Sequence, residues 1–373
     1  MSAELQVPFS SPSSQVRALG KPLREAIEQV LHGDRFVLGP NLTALESEFS
    51  AFIGTTHAVG VANGTEAIAL TLKAMGVGSG DEVITVSHTA LATVAAIVMT
   101  GASPVLIDID PTTLAMDPSL IESAITDSTK VVLPVHLYGR AIDLEPIARI
   151  CEKWGLALIE DCSQAHGAYL PHTAGTRQRV GSRGIAGIFS CYPTKNLGAL
   201  GDAALISTSD PLLAERISRL RQYGWDKAQV SQEPGWNSRL DELQAAVLRV
   251  KLGFLDAGNQ ARRAIAQRYD AELDNLDLHL PAAAMPTTHA QHLYVIQVPE
   301  RDQLQAKLSS LGIGTGVHYA LGAHQHPGYA GLCRFGALPV TEAAASRVLS
   351  LPMFPELTSE QIDRVVAAMR ACA

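Results

Sequence analysis

KVVLPVHLYGRAIDLEPIARICEKWGLALIED, running from Lys130 to Asp161, holds two apolar runs with a helical period between them. Val131-Val132-Leu133 and Leu156-Ala157-Leu158-Ile159 are continuous rather than alternating, which is how strands buried on both faces read. Leu144 to Trp154 supplies the helix. Strand, helix and strand in this order predict parallel strands in a sheet covered on both sides. The same alternation extends outward from about residue 55 to residue 210. Helical Glu66 to Met75 precedes β-rich Glu82 to Val86, and helical Ala90 to Thr100 precedes β-rich Pro104 to Ile109. Beyond Asp161 come β-rich Gly187 to Ser190 and Ala203 to Ser207. The expected fold is therefore α/β, a mostly parallel sheet flanked by helices. Ligands of such sheets bind beyond the carboxyl ends of the strands, and Asp161 and Ser190 both fall where a strand ends.

At 373 residues the chain is long for one core, so residues 1–250 are expected to form a large domain and residues 251–373 a small one. Asn237 to Tyr269 reads as one long helical stretch with Leu240, Leu243, Val247, Val250 and Phe254 on a core-facing stripe. Leu280-Pro281-Ala282-Ala283-Ala284-Met285-Pro286 reads as an interdomain segment. After it, a strand near Leu293 to Val298 and helices at Arg301 to Leu311 and Ser359 to Cys372 give an α+β unit. Hydrophobic residues make up 47% and charged residues 18%, as in a globular enzyme. A net charge of -8 without a basic run argues against nucleic-acid binding. Arg216, Arg219 and Arg221, interleaved with Leu212, Leu213, Ile217 and Leu220, read as the solvated face of a helix. Five cysteines without paired spacing offer neither a metal site nor a disulfide framework, so a reducing, cytoplasmic location is expected. No signal peptide is visible from Met1 to Leu19, and Thr89 to Ile107 is too interrupted to span a membrane.

Three segments carry chemistry. Ser190-Cys191-Tyr192-Pro193-Thr194-Lys195-Asn196-Leu197-Gly198 follows the apolar run Ile185 to Phe189 and places one lysine among small and hydroxyl residues. An isolated lysine in a turn is ordinarily solvated, but one in a closed, cation-bearing pocket loses proton affinity and becomes a nucleophilic amine. Asn63-Gly64-Thr65-Glu66 opens a helix, where free N–H groups suit a phosphate and equally form an ordinary N-cap. Glu160-Asp161 leaves a buried strand, and a carboxylate there needs a cation or serves as an N-cap. His166 reads as a site histidine or as a satisfied structural one. Taken together, the three segments describe a pyridoxal-phosphate site: phosphate on Thr65 and Ser190, ring nitrogen on Asp161, aldehyde on Lys195.

Gly64-Thr65-Glu66-Ala67, Pro134-Val135-His136-Leu137-Tyr138-Gly139, Glu160-Asp161 through Gln164-Ala165-His166-Gly167-Ala168, Tyr192 to Gly198 and Asn237-Ser238-Arg239-Leu240-Asp241-Glu242 closely resemble the DegT/DnrJ/StrS sugar aminotransferases of fold type I. The resemblance runs from about Phe36 to His324. It implies a Schiff-base role for Lys195, a pyridinium partner in Asp161, a neighbour of the ring hydroxyl in Gln164, and phosphate contacts from Gly64, Thr65 and Ser190. It also implies a homodimer in which Asn237 reaches the partner's phosphate. The implied reaction moves an amino group from L-glutamate to a nucleotide-linked keto sugar, with pyridoxamine phosphate as intermediate. Relatives that lack the lysine are dehydratases, so Lys195 favours transamination; a non-catalytic regulatory homodimer is the other alternative.

Two departures stand out. Relatives often carry an aromatic residue where Ala90 stands, so either His88 covers the cofactor ring or stacking is absent. Gly201-Asp202-Ala203-Ala204 holds alanines where relatives show glycines. His318-Tyr319-Ala320-Leu321-Gly322-Ala323-His324 is similar to the family's substrate-side loop, which makes His318, Tyr319 and His324 candidate sugar or diphosphate contacts or, for the histidines, solvated loop residues. Val317-His318-Tyr319 is also similar to enzymes that aminate carbon 3 of a dTDP-linked 3-keto-6-deoxyhexose. Amination at carbon 4 of a UDP- or GDP-linked sugar is the alternative.

Overall fold

The computed structural model describes residues 6–171 and 177–372. Twelve α-helices and ten strands are found among them. The strands are β1 His57–Val61, β2 Glu82–Val86, β3 Ser103–Ile107, β4 Thr129–Val132, β5 Ala157–Asp161, β6 Ala186–Ser190, β7 Ala204–Thr208, β8 Tyr294–Gln297, β9 Arg334–Phe335 and β10 Val348–Leu351. The first six helices are α1 Pro12–Leu31, α2 Pro40–Ile53, α3 Gly64–Ala74, α4 Leu91–Met99, α5 Ile121–Ala124 and α6 Glu145–Trp154. The rest are α7 Pro211–Leu220, α8 Glu242–Leu252, α9 Leu255–Leu273, α10 Arg301–Ser310, α11 Pro339–Arg347 and α12 Ser359–Cys372.

The main sheet has the order β1-β7-β6-β5-β4-β2-β3-β9. From β6 to β9 every pairing is parallel, while β7 runs antiparallel to both β6 and β1. The continuous apolar strands explain why both faces are covered, because successive side chains point to opposite sides. Val132 and Leu158 enter a core with Leu45 and Phe49 of α2, Ile147 of α6 and Leu248 of α8. Val131 and Ile159 enter the opposite core with Ile68 and Leu72 of α3, Ile97 of α4 and Ile217 of α7. Each fully buried side chain of this size contributes roughly 1.5–3 kcal/mol.

β8 and β10 form a separate antiparallel pair. It packs in a third cluster with Tyr269 of α9, Leu308 of α10 and Val365 of α12. Val7 joins that cluster and bridges Ile313, so the start of the described chain lies against its C-terminal elements.

The stretch from Asn237 to Tyr269 departs from the sequence reading. It is two helices, broken at Gly253 and Phe254, not one. Leu240 is buried but precedes α8, and Phe254 is 48% exposed, so the stripe does not hold along its length. The arginine face departs too. Arg221 lies past the end of α7 and turns inward, donating to Glu46 at 2.5 Å and to the Gly60 carbonyl at 2.7 Å. Leu212, taken as part of the apolar side, is 75% exposed. The N-terminal helices α1 and α2 were not anticipated. Gly20 and Pro22 break the regularity of α1, which blurs its period.

Candidate active site

β5 and β6 pair side by side and end at Asp161 and Ser190, which places both residues on the same edge of the sheet. The start of α3 faces them. Asn63 caps this helix, its Oδ1 accepting from the Glu66 N–H at 2.9 Å, and leaves the first-turn N–H groups of Gly64 and Thr65 free of helical partners. Gly64 packs closely on Ser190: a Cβ at position 64 would lie 2.8 Å from Ser190 Cβ. Only hydrogen fits there, so the helix terminus and the Ser190 hydroxyl form one concave, donor-rich surface.

A cavity of about 480 Å³ joins these groups. Gly64, Thr65 and Ser190 line one part, Asp161, Gln164 and Lys195 another, and Ile68, Ala90 and Val135 contribute apolar wall. Asp161 is buried, and its carboxylate accepts from Thr93 Oγ1 at 2.9 Å and from the Ser163 N–H at 3.1 Å. No cation lies within ion-pair distance of it among the described residues. A buried carboxylate so placed suits a protonated ring nitrogen.

Lys195 sits in the loop after β6, fixed by its own N–H to the Tyr192 carbonyl at 2.8 Å. Burial lowers its ammonium from 10.5 to about 8, partly opposed by Asp161 and Cys191. The cation-bearing pocket expected from the sequence is thus replaced by desolvation. No neighbouring positive charge is needed to make the amine reactive.

Gln164 bridges two elements. Its Oε1 accepts from the Tyr138 N–H at 2.7 Å and its Nε2 donates to the Tyr319 hydroxyl at 3.0 Å. Burial raises the Tyr319 phenol to about 12, so the group stays protonated at neutral pH. His318 stacks on Phe9 with ring centroids 5.4 Å apart and meets Ser350 Oγ through Nδ1 at 2.9 Å. Burial lowers its imidazole to about 4.

His318 and Tyr319 do not themselves line the cavity, and three further sequence-derived candidates do not either. His88 is fully buried and does not line the cavity; Thr89 and Ala90 do. Its Nε2 donates to the Tyr138 hydroxyl at 2.7 Å, and the two rings meet edge-on. His324 is likewise not a solvated loop residue. Ser87 Oγ holds its Nδ1 at 2.7 Å and Glu342 accepts from Nε2 at 3.3 Å, which ties it to the ends of β2 and α11. Asn237 is exposed and does not line its own chain's cavity.

Thr93, Ser163 and Tyr138 are site-forming residues that sequence reasoning missed. Thr93 meets Asp161 across 68 positions of sequence, and no local pattern marks that pairing. A neighbouring buried cluster of His136, Glu160 and Cys162 is scaffold. Glu160 accepts from His136 Nε2 and from the N–H groups of Gly181, Arg183 and Gly184, which fixes the turn behind β5.

The residues present fit pyridoxal phosphate. Free helix N–H groups and a hydroxyl suit its phosphate, an unpaired buried carboxylate suits its ring nitrogen, and a desolvated lysine amine suits its aldehyde. Among the described residues, no helix is long and apolar enough to cross a membrane.

Residues 18–370 match the model of the DegT/DnrJ/EryC1/StrS aminotransferase family. The erythromycin biosynthesis sensory transduction protein EryC1 of Saccharopolyspora erythraea is 44% identical, over 99% of this chain and 100% of its own. The dTDP-3-amino-3,4,6-trideoxy-alpha-D-glucose transaminase of Streptomyces venezuelae is 41% identical, over 99% of this chain and 96% of its own. A crystal structure of S. venezuelae DesV superposes with a TM-score of 0.94 at 41% identity, covering 98% of both chains. With its fold and nearly its whole length matched, the chain belongs to the DegT/DnrJ/EryC1/StrS aminotransferase family, whose members use pyridoxal phosphate.

Proposed function

We propose that this protein moves the amino group of L-glutamate onto a nucleotide-linked keto sugar, specifically carbon 3 of a dTDP-linked 3-keto-6-deoxyhexose. The observation that carries the reading is the desolvated Lys195 amine sharing one cavity with Asp161 and with the Gly64–Ser190 cradle. The name of the S. venezuelae relative specifies a dTDP-linked 3-amino sugar, which supports carbon 3 and is compatible with dTDP.

When bound, pyridoxal phosphate supplies an electron sink that lets an amino group be carried between two carbonyl compounds. The chain's own residues do the rest. Gly64, Thr65 and Ser190 hold the phosphate. Asp161, oriented by Thr93 and Ser163, keeps the ring nitrogen protonated. Lys195 would hold the cofactor through its side-chain amine, and the same amine, when free, would take up and return a proton. Gln164, held by the Tyr319 hydroxyl, lines the cavity and would neighbour the ring hydroxyl. A second copy of the chain completes the site in this reading, with Asn237, exposed on its own chain, reaching the partner's phosphate.

The test is purified protein supplied with L-glutamate and a panel of keto-sugar nucleotides, read by mass spectrometry for the amino sugar and for 2-oxoglutarate. Amination with stoichiometric 2-oxoglutarate supports the reading. Loss of water from the sugar without 2-oxoglutarate overturns it in favour of dehydration, and no turnover favours the regulatory alternative.

A further inference from the structure

Asn196 directly follows Lys195, and its carboxamide is engaged at both ends. Nδ2 donates to Asn259 Oδ1 and to the Ala290 carbonyl, each at 2.8 Å, and Oδ1 accepts from His292 Nδ1 at 3.0 Å. Asn259, on α9, donates in turn through Nδ2 to the His166 carbonyl at 2.8 Å. These side chains are all buried. The Ala290 and His166 carbonyls can only accept, so both amides are fixed in orientation and His292 must carry its proton on Nδ1. Arg262, three residues beyond Asn259 on α9, holds the chain at His292 by donating to the carbonyls of Gln291 and His292, each at 3.3 Å.

A buried network in which both amides are bonded through oxygen and nitrogen alike restricts the arrangement. This one joins the peptide bearing Lys195 to the segment bearing Asp161, Gln164 and His166, and both to α9. We propose that Asn196, Asn259 and His292 are positioning residues for Lys195, holding its amine in the buried place from which it meets the cofactor. The inference rests on Lys195 being the attachment lysine.

The consequence is chemical as well as geometric. The Lys195 amine is depressed by desolvation, with Asp161 and Cys191 as the opposing groups. The imidazoles around it are uncharged: burial brings His166 to about 3 and His318 to about 4, and His292 well below the ordinary histidine range. Lys251 donates to the Gly198 carbonyl at 2.7 Å on the far side of the loop. Removing the network frees the loop, admits water to Lys195 and returns its ammonium toward 10.5.

The test uses the full-length chain freed of cofactor, given pyridoxal phosphate between pH 6 and 10, quenched with borohydride, and read as labelled Lys195 by peptide mass. In the parent protein capture rises with pH to a midpoint near 8. Asn196→Ala and Asn259→Leu are expected to raise that midpoint by about one unit and to slow capture at pH 7 about tenfold. The double variant is expected to be no slower than the slower single one, as for residues that act as a unit. Should Asn196→Ala not fold, Asn196→Ser keeps a donor for the Ala290 carbonyl and reads the same effect. A lowered melting temperature with midpoint and rate unchanged overturns the positioning role while leaving Lys195 as the attachment residue. Labelling of another lysine in the parent protein overturns the proposed function itself.

Discussion

Thr93 Oγ1 donates to Asp161 Oδ2 at 2.9 Å, so a residue in the first turn of α4 orients the carboxylate at the end of β5. Thr93→Val keeps the side chain's shape and removes the donor. Cofactor dissociation, followed by absorbance after dialysis, is expected to increase about tenfold, in line with the roughly 1.5 kcal/mol of a hydrogen bond to a charged group. An unchanged dissociation constant would show that Ser163 orients Asp161 by itself.

The pH dependence of stability follows from Lys195. Its folded-state value of about 8 lies below the ordinary 10.5, so below pH 8 the cofactor-free protein buries a charge that the unfolded chain solvates. Between about 8 and 10.5 the unfolded chain binds more protons, and this contribution to stability improves as pH rises. Lys195→Met removes the penalty. The cofactor-free variant is expected to be more stable than the parent at pH 7 by on the order of 3 kcal/mol, with the difference shrinking toward pH 10.5. Urea unfolding at several pH values measures it, and a difference independent of pH would contradict the burial argument.

Gly64→Ala tests the cradle. The added Cβ would meet Ser190 Cβ at 2.8 Å, and the contact is with the stem of a short side chain that cannot swing aside. The expected cost is about 1–3 kcal/mol of stability, as for overpacking. Inorganic phosphate is expected to protect the parent against thermal unfolding and to protect the variant far less. Equal protection would place the phosphate elsewhere.

Tyr319→Phe removes the acceptor of the Gln164 Nε2 donor, leaving a buried amide N–H unpaired at a cost of about 1–3 kcal/mol. Because Gln164 lines the cavity, the change is expected to raise KM for the sugar nucleotide about tenfold with a smaller effect on the glutamate half-reaction. Stopped-flow measurement of the two halves separates them. Equal slowing of both would place the hydroxyl in the shared chemistry.

Much of the α/β frame was legible. Continuous apolar runs such as Val131-Val132-Leu133 and Leu156 to Ile159 can be satisfied only by a sheet covered on both faces, and they became β4 and β5. The region from Asn237 to Tyr269 was less legible, because an apolar stripe does not show where the chain bends, and the turn at Gly253 divides it. His88 directly precedes the cavity residue Thr89, yet it does not line the cavity and is bonded to Tyr138, while His324 is bonded to Ser87 and Glu342 away from the cavity lining. A residue's type offers it as a ligand; its hydrogen-bond partners decide whether it is free to act.

The order of the chain by itself determined that Asp161 and Ser190 end strands and that Gly64 and Thr65 begin a helix, since apolar periodicity and helix-start residues are local properties. It also placed a lysine shortly after the second of those strands. Only the tertiary structure decided that Lys195 is desolvated, that Thr93 orients Asp161, and that Asn196 and Asn259 join the Lys195 loop to the His166 segment. Burial and long-range hydrogen bonds arise from surfaces brought together across many tens of residues, and no local pattern encodes them.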